Sequence, residues 1–162
     1  MGAGKSTVGR RLARRLDLPF IDSDVEIEEA SGVSTADLFE RFGEHEFRDG
    51  ERRLVARLIN GEVRVIATGG GAFMDPRTRM LLNERAITIW LDAPIDVLAE
   101  RTTRRDNRPL LKRGDRHEIL ARLSDERRDG YAEAQIHIRS SGGAHGDVVE
   151  AIVAALGKYL AG

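Results

Sequence analysis

Val8, Leu12 and Leu16 recur among arginines at the spacing of one helical face, which predicts a helix over residues 7–16. Residues 19–24, PFIDSD, read as a short buried strand ending in two aspartates. Helices are predicted over 25–29, 35–42 and 44–58, the last with Phe47, Leu54, Val55 and Leu58 on one side. A β-branched run starting at Val63 predicts a strand that breaks on Gly69, Gly70 and Gly71. Asp75-Pro76 then marks a helix start, because an aspartate caps the end and proline suits the first turn. Residues 86–92 read as a buried strand with Trp90 in the core, and Ala93-Pro94 opens a helix to about Arg101. Residues 102–115 are polar, basic and broken by Pro109 and Gly114, which predicts a mobile surface segment. A helix over 118–131, a strand over 135–139, a turn at SSGG and an amphipathic helix over 147–160 complete the pattern.

Strands alternating with helices argue for an α/β fold with a parallel sheet covered on both faces. At 162 residues one domain is expected, with enough chain to bury a core. A net charge of -1 gives no global attraction to nucleic acid or an anionic membrane. Without cysteine, disulfides and thiolate metal sites are excluded, which fits a reducing cytosol. No apolar run approaches the ~18 residues of a membrane span, and the N-terminus carries no hydrophobic signal region. The histidines His45, His117, His137 and His145 form no spaced cluster and read as structural or surface residues. Only Lys5, Lys112 and Lys158 are lysines, which draws notice to the first.

Lys5 lies in GAGKST, Gly2-Ala3-Gly4-Lys5-Ser6-Thr7, at the head of the first predicted helix. Backbone N–H groups of such a loop cradle phosphate oxygens; Lys5 would reach the β- and γ-phosphates and the Ser6 hydroxyl would ligate Mg²⁺. A glycine-rich start to an ordinary helix is the plainer reading. The full pattern G-x-x-x-x-G-K-[ST] sets its first glycine before Met1, and the strand expected to feed the loop has no counterpart. The expectation is therefore that translation starts upstream, or that this is a truncated form.

Asp22-Ser23-Asp24 ends a strand, the edge where open parallel sheets bind ligands. One carboxylate could hold hydrated Mg²⁺ and the other accept a hydroxyl proton; a helix N-cap followed by a first-turn acid is the structural alternative. Arg48 suits bidentate binding of a carboxylate, with Glu51 at i+3 to orient it, although a helix-surface ion pair is the commoner case. A plain turn needs one glycine rather than three, so Gly69, Gly70 and Gly71 favour close approach of a substrate to backbone donors. In NRPLL, Arg108 would stabilise transferring phosphate from a closing loop, against the alternative of a solvated charged loop.

In this order, GAGKST, FIDSD, GEHEFRDGE, GGG and RPLL make the chain similar to the shikimate kinases, from Gly2 to about Tyr131. The resemblance implies a P-loop kinase with parallel strand order 2-3-1-4-5, the first strand missing here. It also implies a substrate-binding helical region at 24–59 and a lid at 102–115. The implied reaction moves the γ-phosphoryl of ATP to the 3-hydroxyl of shikimate, in the biosynthesis of chorismate and aromatic amino acids. Gly2, Ala3, Gly4, Lys5, Ser6 and Thr7 then form the phosphate loop, and Ser6 and Asp22 hold Mg²⁺. Asp24 binds the shikimate hydroxyls and takes the proton; Arg48 and Arg127 hold the carboxylate, with Arg128 an alternative to Arg127; Gly70 supplies a backbone donor. Arg108 serves the transferring phosphate and Arg101 lies near adenine. A cytoplasmic monomer without nucleic-acid or membrane partners is expected. The rival readings are another small-molecule P-loop kinase, such as a gluconate kinase, and a non-catalytic sensor of nucleotide or shikimate.

Overall fold

The computed structural model describes residues 2–103, 115–140 and 143–162, with the backbone alone at Thr103. Among them the chain forms two compact units, one of Gly9–Ile87 and one that joins the residues up to Val8 to Thr88–Gly162. The expected order 2-3-1-4-5, with its first strand removed, leaves the pairs 2-3 and 4-5. Those are the two parallel pairs found.

Helix α1 (Lys5–Leu16) follows the glycine loop and buries Val8, Leu12 and Ala13. In the unit of residues 9–87, β1 (Phe20–Asp22) pairs with β2 (Val65–Ala67), in the register Phe20↔Val65, Ile21↔Ile66 and Asp22↔Ala67. The expected strand through Asp24 stops two residues early. Asp22 turns the chain into α2 (Ser23–Ser31) by accepting the Asp24 N–H at 3.1 Å, so the local capping bond outcompetes a longer strand. Gly32, at φ 71°, closes α2 in the left-handed conformation.

The two helices expected over 35–42 and 44–58 are both present within the segment α3 (Thr35–Ile59), separated at Gly43, whose φ of 78° and ψ of 170° are not helical. Ser34 caps its start by accepting the Asp37 N–H. After β2 the chain makes a single 3-10 turn (Ala72–Met74) and enters α4 (Pro76–Arg85). Asp75 caps α4 through the Thr78 N–H at 2.9 Å, with Pro76 in the first turn as expected. Val55, Leu58, Ala67, Ala72, Phe73 and Leu82 are buried here.

In the other unit, β3 (Ile89–Asp92) pairs with β4 (Ile136–Arg139). Helix α5 (Ile95–Thr103) and α6 (Arg116–Ala132) share a core of Ala93, Leu98 and Leu120, on which Ala3 of the glycine loop also packs. Helix α7 (His145–Leu160) buries Val148, Val149 and Ile152 and packs on β4.

Trp90 departs from its expected place in the core. It is half-buried, with its ring 5.1 Å from that of His137 and 5.9 Å from that of Tyr131. The register decides this: Trp90 lies opposite His137, and β4 alternates buried Ile136 and Ile138 with exposed His137 and Arg139. Cross-strand neighbours share a face, so Trp90 joins the exposed one.

Candidate active site

The glycine loop is shaped by two left-handed residues, Gly2 at φ 77° and Gly4 at φ 87°. A Cβ on Gly2 would lie 3.0 Å from the Leu98 carbonyl oxygen and 3.0 Å from Thr102 Cγ2, so close packing on α5 also demands glycine. Val8 N–H donates to the Gly4 carbonyl at 2.8 Å, so the helix starts immediately behind the loop. Helix α1 has no acidic residue in its first turn, which leaves the positive end of its dipole to an anion. Lys5, Ser6 and Thr7 occupy that turn and are half-buried.

Beside this loop stand two side chains from the same unit. Arg101, in the last turn of α5, places Nη1 3.8 Å from where a Cβ on Gly4 would stand, and that nitrogen is buried without a hydrogen-bond partner among the described residues. His145 Cε1 lies at 3.6 Å from the same point. Sequence reasoning treated His145 as structural or surface, because nothing in its spacing ties the start of α7 to a loop at the other end of the chain.

The second cluster lies wholly within residues 9–87. Arg48 donates from Nη1 to Glu51 Oε2 at 2.5 Å, and its Nε is 3.7 Å from exposed Glu44. Its Cζ lies 5.3 Å from the centre of the Phe47 ring and 5.9 Å from that of Phe39, an aromatic pair with centroids 5.5 Å apart. A guanidinium over two ring faces is held by cation–π attraction as well as by its ion pairs. Glu51 is only 2% exposed, so the surface ion pair considered as the commoner case is not what the fold makes. Burial pushes the Glu51 carboxyl up, Arg48 pulls it down, and Asp24 and Asp75 add to the rise, leaving it above its ordinary value.

The glycine run explains itself here. A Cβ on Gly69 would stand 2.7 Å from Asp24 Oδ1 and 2.9 Å from Glu51 Oε1. One on Gly71 would stand 2.6 Å from Arg48 Cζ and 2.8 Å from Nη1. The turn is bare of side chains because the protein's own carboxylates and guanidinium fill that space. Asp24, Arg48 and the glycines, chosen separately from the sequence, thus gather at one place together with Glu51. Phe39 and Phe47 were not singled out as site residues; no signal short of the fold marks two phenylalanines as an arginine's bed.

The remaining candidates are placed less completely. Asp22 caps α2 with its carboxylate, as the structural alternative for DSD anticipated. Arg127 of α6 is half-buried, while Arg128 is exposed and 3.9 Å from Asp125 at the surface. Arg108 and nearly all of the lid expected at 102–115 lie outside the described residues. Among the described residues, no helix is long and apolar enough to cross a membrane. No group of three or more His, Cys, Asp or Glu there could hold a metal ion by itself.

Known proteins with this architecture point the same way. The family described as shikimate kinase matches residues 1–157. A shikimate kinase of Novosphingobium aromaticivorans is 50% identical over 99% of this chain and 85% of its own length; one of Zymomonas mobilis is 52% identical over 96% and 89%. Among solved structures, the shikimate kinase from Acinetobacter baumannii in complex with shikimate superposes with a TM-score of 0.92 at 38% identity, covering 98% of this chain and 89% of that one. With a glycine loop heading α1, a carboxylate–arginine cluster around a glycine turn and relatives at this identity over nearly their full length, the chain belongs to the shikimate kinase family.

Proposed function

We propose that Asp24, Arg48 and Gly70 bind shikimate, and that the loop of residues 2–7 with Arg101 binds the nucleotide. The chain is a kinase that phosphorylates shikimate with ATP as co-substrate. The observation that carries the assignment of residues is the gathering of Asp24, Arg48 and Glu51 around Gly69 and Gly71.

Shikimate has one carboxylate and three hydroxyls, so its binding asks for a cation at one end and an acceptor at the other. Arg48 supplies the cation, oriented by Glu51, and half-buried Arg127 is the better candidate for a second arginine than exposed Arg128. Asp24 supplies the acceptor. In the step we propose, the 3-hydroxyl oxygen attacks the γ-phosphorus and the bond to the β-phosphate oxygen breaks. ADP leaves, and the hydroxyl proton passes to the Asp24 carboxylate. Lys5 and the N–H groups at the start of α1 offset the phosphate charge, as does Arg108. Ser6 Oγ and Asp22 are a hydroxyl and a carboxylate, hard oxygen donors that would hold Mg²⁺; the ion would neutralise phosphate charge when bound. A cytoplasmic monomer belongs to the same proposal.

The test is ADP release by this chain with Mg-ATP, measured with shikimate, with gluconate and with neither. Release is expected to rise with shikimate alone. No rise with shikimate, in folded protein, would overturn the proposal.

A further inference from the structure

Between Asp22 and Asp24 stands Ser23, for which the chemistry above has no use. Its side chain is completely buried, at 0% exposure, so it touches neither substrate nor solvent. A hydroxyl in such a place must be satisfied from inside the protein. Ser23 Oγ accepts the Gly69 N–H at 3.2 Å, across 46 residues of chain.

The position of Gly69 makes this bond consequential. The β1–β2 register ends at Asp22↔Ala67, so Gly69 lies beyond the last residue that the sheet can hold. It is buried, and its amide needs an acceptor there. Its carbonyl is already engaged, accepting the Ala72 N–H at 3.1 Å. Both backbone groups of Gly69 are thus fixed, one by α2 and one by the 3-10 turn. The α-carbon between them is the point on which the Asp24 and Glu51 carboxylates close. The Gly69 amide is thereby committed to the protein and is not one of the donors for substrate that the three glycines had suggested.

We propose that Ser23 is a positioning residue for phosphoryl transfer: it pins the first glycine of the turn to the start of α2 and so sets the spacing between Asp24 and the Arg48–Glu51 pair. The inference rests on the reading of Asp24 and Arg48 as shikimate-binding residues. Losing the hydroxyl leaves a buried amide unsatisfied, and the turn relaxes away from the carboxylates. Misplacement of reacting groups by a fraction of an ångström to an ångström is costly, which gives the direction of the effect.

The experiment is steady-state kinetics of the parent, Ser23→Ala and Ser23→Thr, with hydrogen exchange at the Gly69 amide. In the parent that amide should exchange slowly. In Ser23→Ala it should exchange faster, kcat/KM for shikimate should fall by about tenfold, and KM for ATP should stay within about twofold. Ser23→Thr, which keeps the hydroxyl, should recover most of the loss. A fast Gly69 amide in the parent overturns the inference whether or not any variant folds. So does a Ser23→Ala enzyme with unchanged shikimate kinetics, or an equal loss in the alanine and threonine variants. A parent with no shikimate-dependent activity overturns the assignment of the site and this inference together, whereas an active parent beside an unchanged alanine variant overturns only the inference.

Discussion

Arg48 is gripped on three sides by its own helix: Glu51 at Nη1, Glu44 near Nε and the Phe47 ring against its face, with Phe39 beyond. A lysine there would keep a counter-charge for buried Glu51 but lose the planar fork. Arg48→Lys should therefore raise KM for shikimate by roughly tenfold or more and leave KM for ATP nearly unchanged, since one charge-assisted hydrogen bond contributes about 1.5–3 kcal/mol. Equal losses for both ligands would point to damaged folding. Asp24→Asn removes the proton acceptor at nearly constant shape; turnover should fall by roughly 10²–10⁴-fold with nucleotide binding retained. Near-normal turnover would take that role from Asp24. The i+3 spacing of Arg48 and Glu51 was legible in the sequence, but the 2% exposure of Glu51 was not. Spacing along a helix states which side chains can meet, whereas burial depends on what the rest of the chain lays over them.

At the level of elements, turns and caps hold the site. Asp22 ends β1 and starts α2 within one residue, which brings Ser23 and Asp24 against the glycine turn. Gly43 divides α3 into the two helices that the sequence had suggested. Gly71 offers a direct test of this arrangement. Its Cβ would collide with the far end of the Arg48 side chain, which can swing away without moving backbone. Gly71→Ala should therefore still fold, with a melting temperature lowered by the loosened Arg48–Glu51 pair, while KM for shikimate rises. A variant that binds shikimate normally would show that the guanidinium need not lie against Gly71. The need for glycine was legible as a run of three, and the reason for it was not. Substrate approach was the expectation from sequence, and the protein's own side chains occupy the space.

Across the molecule, buried and paired carboxylates set the response to pH. The hydrogen bond from Arg52 holds the Asp49 carboxyl below its ordinary value against the opposing effect of burial, and the Arg77 charge helps. At Asp75 burial pushes upward, but the Thr78 N–H and hydroxyl together with Arg77 outweigh it and leave the group below its ordinary value. Carboxyls depressed in the fold contribute stability above their unfolded values and lose it as pH falls through their folded ones. Glu51, raised, has the opposite sign: its contribution is complete below the unfolded value and is lost as pH rises through the folded one. Melting temperatures measured from pH 3 to 8 should drop below about pH 4, and Asp49→Asn should flatten that drop. An unchanged acid slope in Asp49→Asn would show that Asp49 is not responsible for it.

The sequence by itself determined the order of helices and strands, the loop at the head of α1, the Asp75-Pro76 helix start and the candidates Asp24, Arg48 and the glycine run. Each of these is written in neighbours a few residues apart, where periodicity, capping and turn chemistry act. Only the tertiary structure decided that Ser23 reaches Gly69, that Glu51 is buried, that Trp90 shares an exposed face with His137 and that His145 stands beside Gly4. Those facts join residues far apart in the chain. They follow from how strands take register and helices pack, which no local pattern of apolar and polar positions contains.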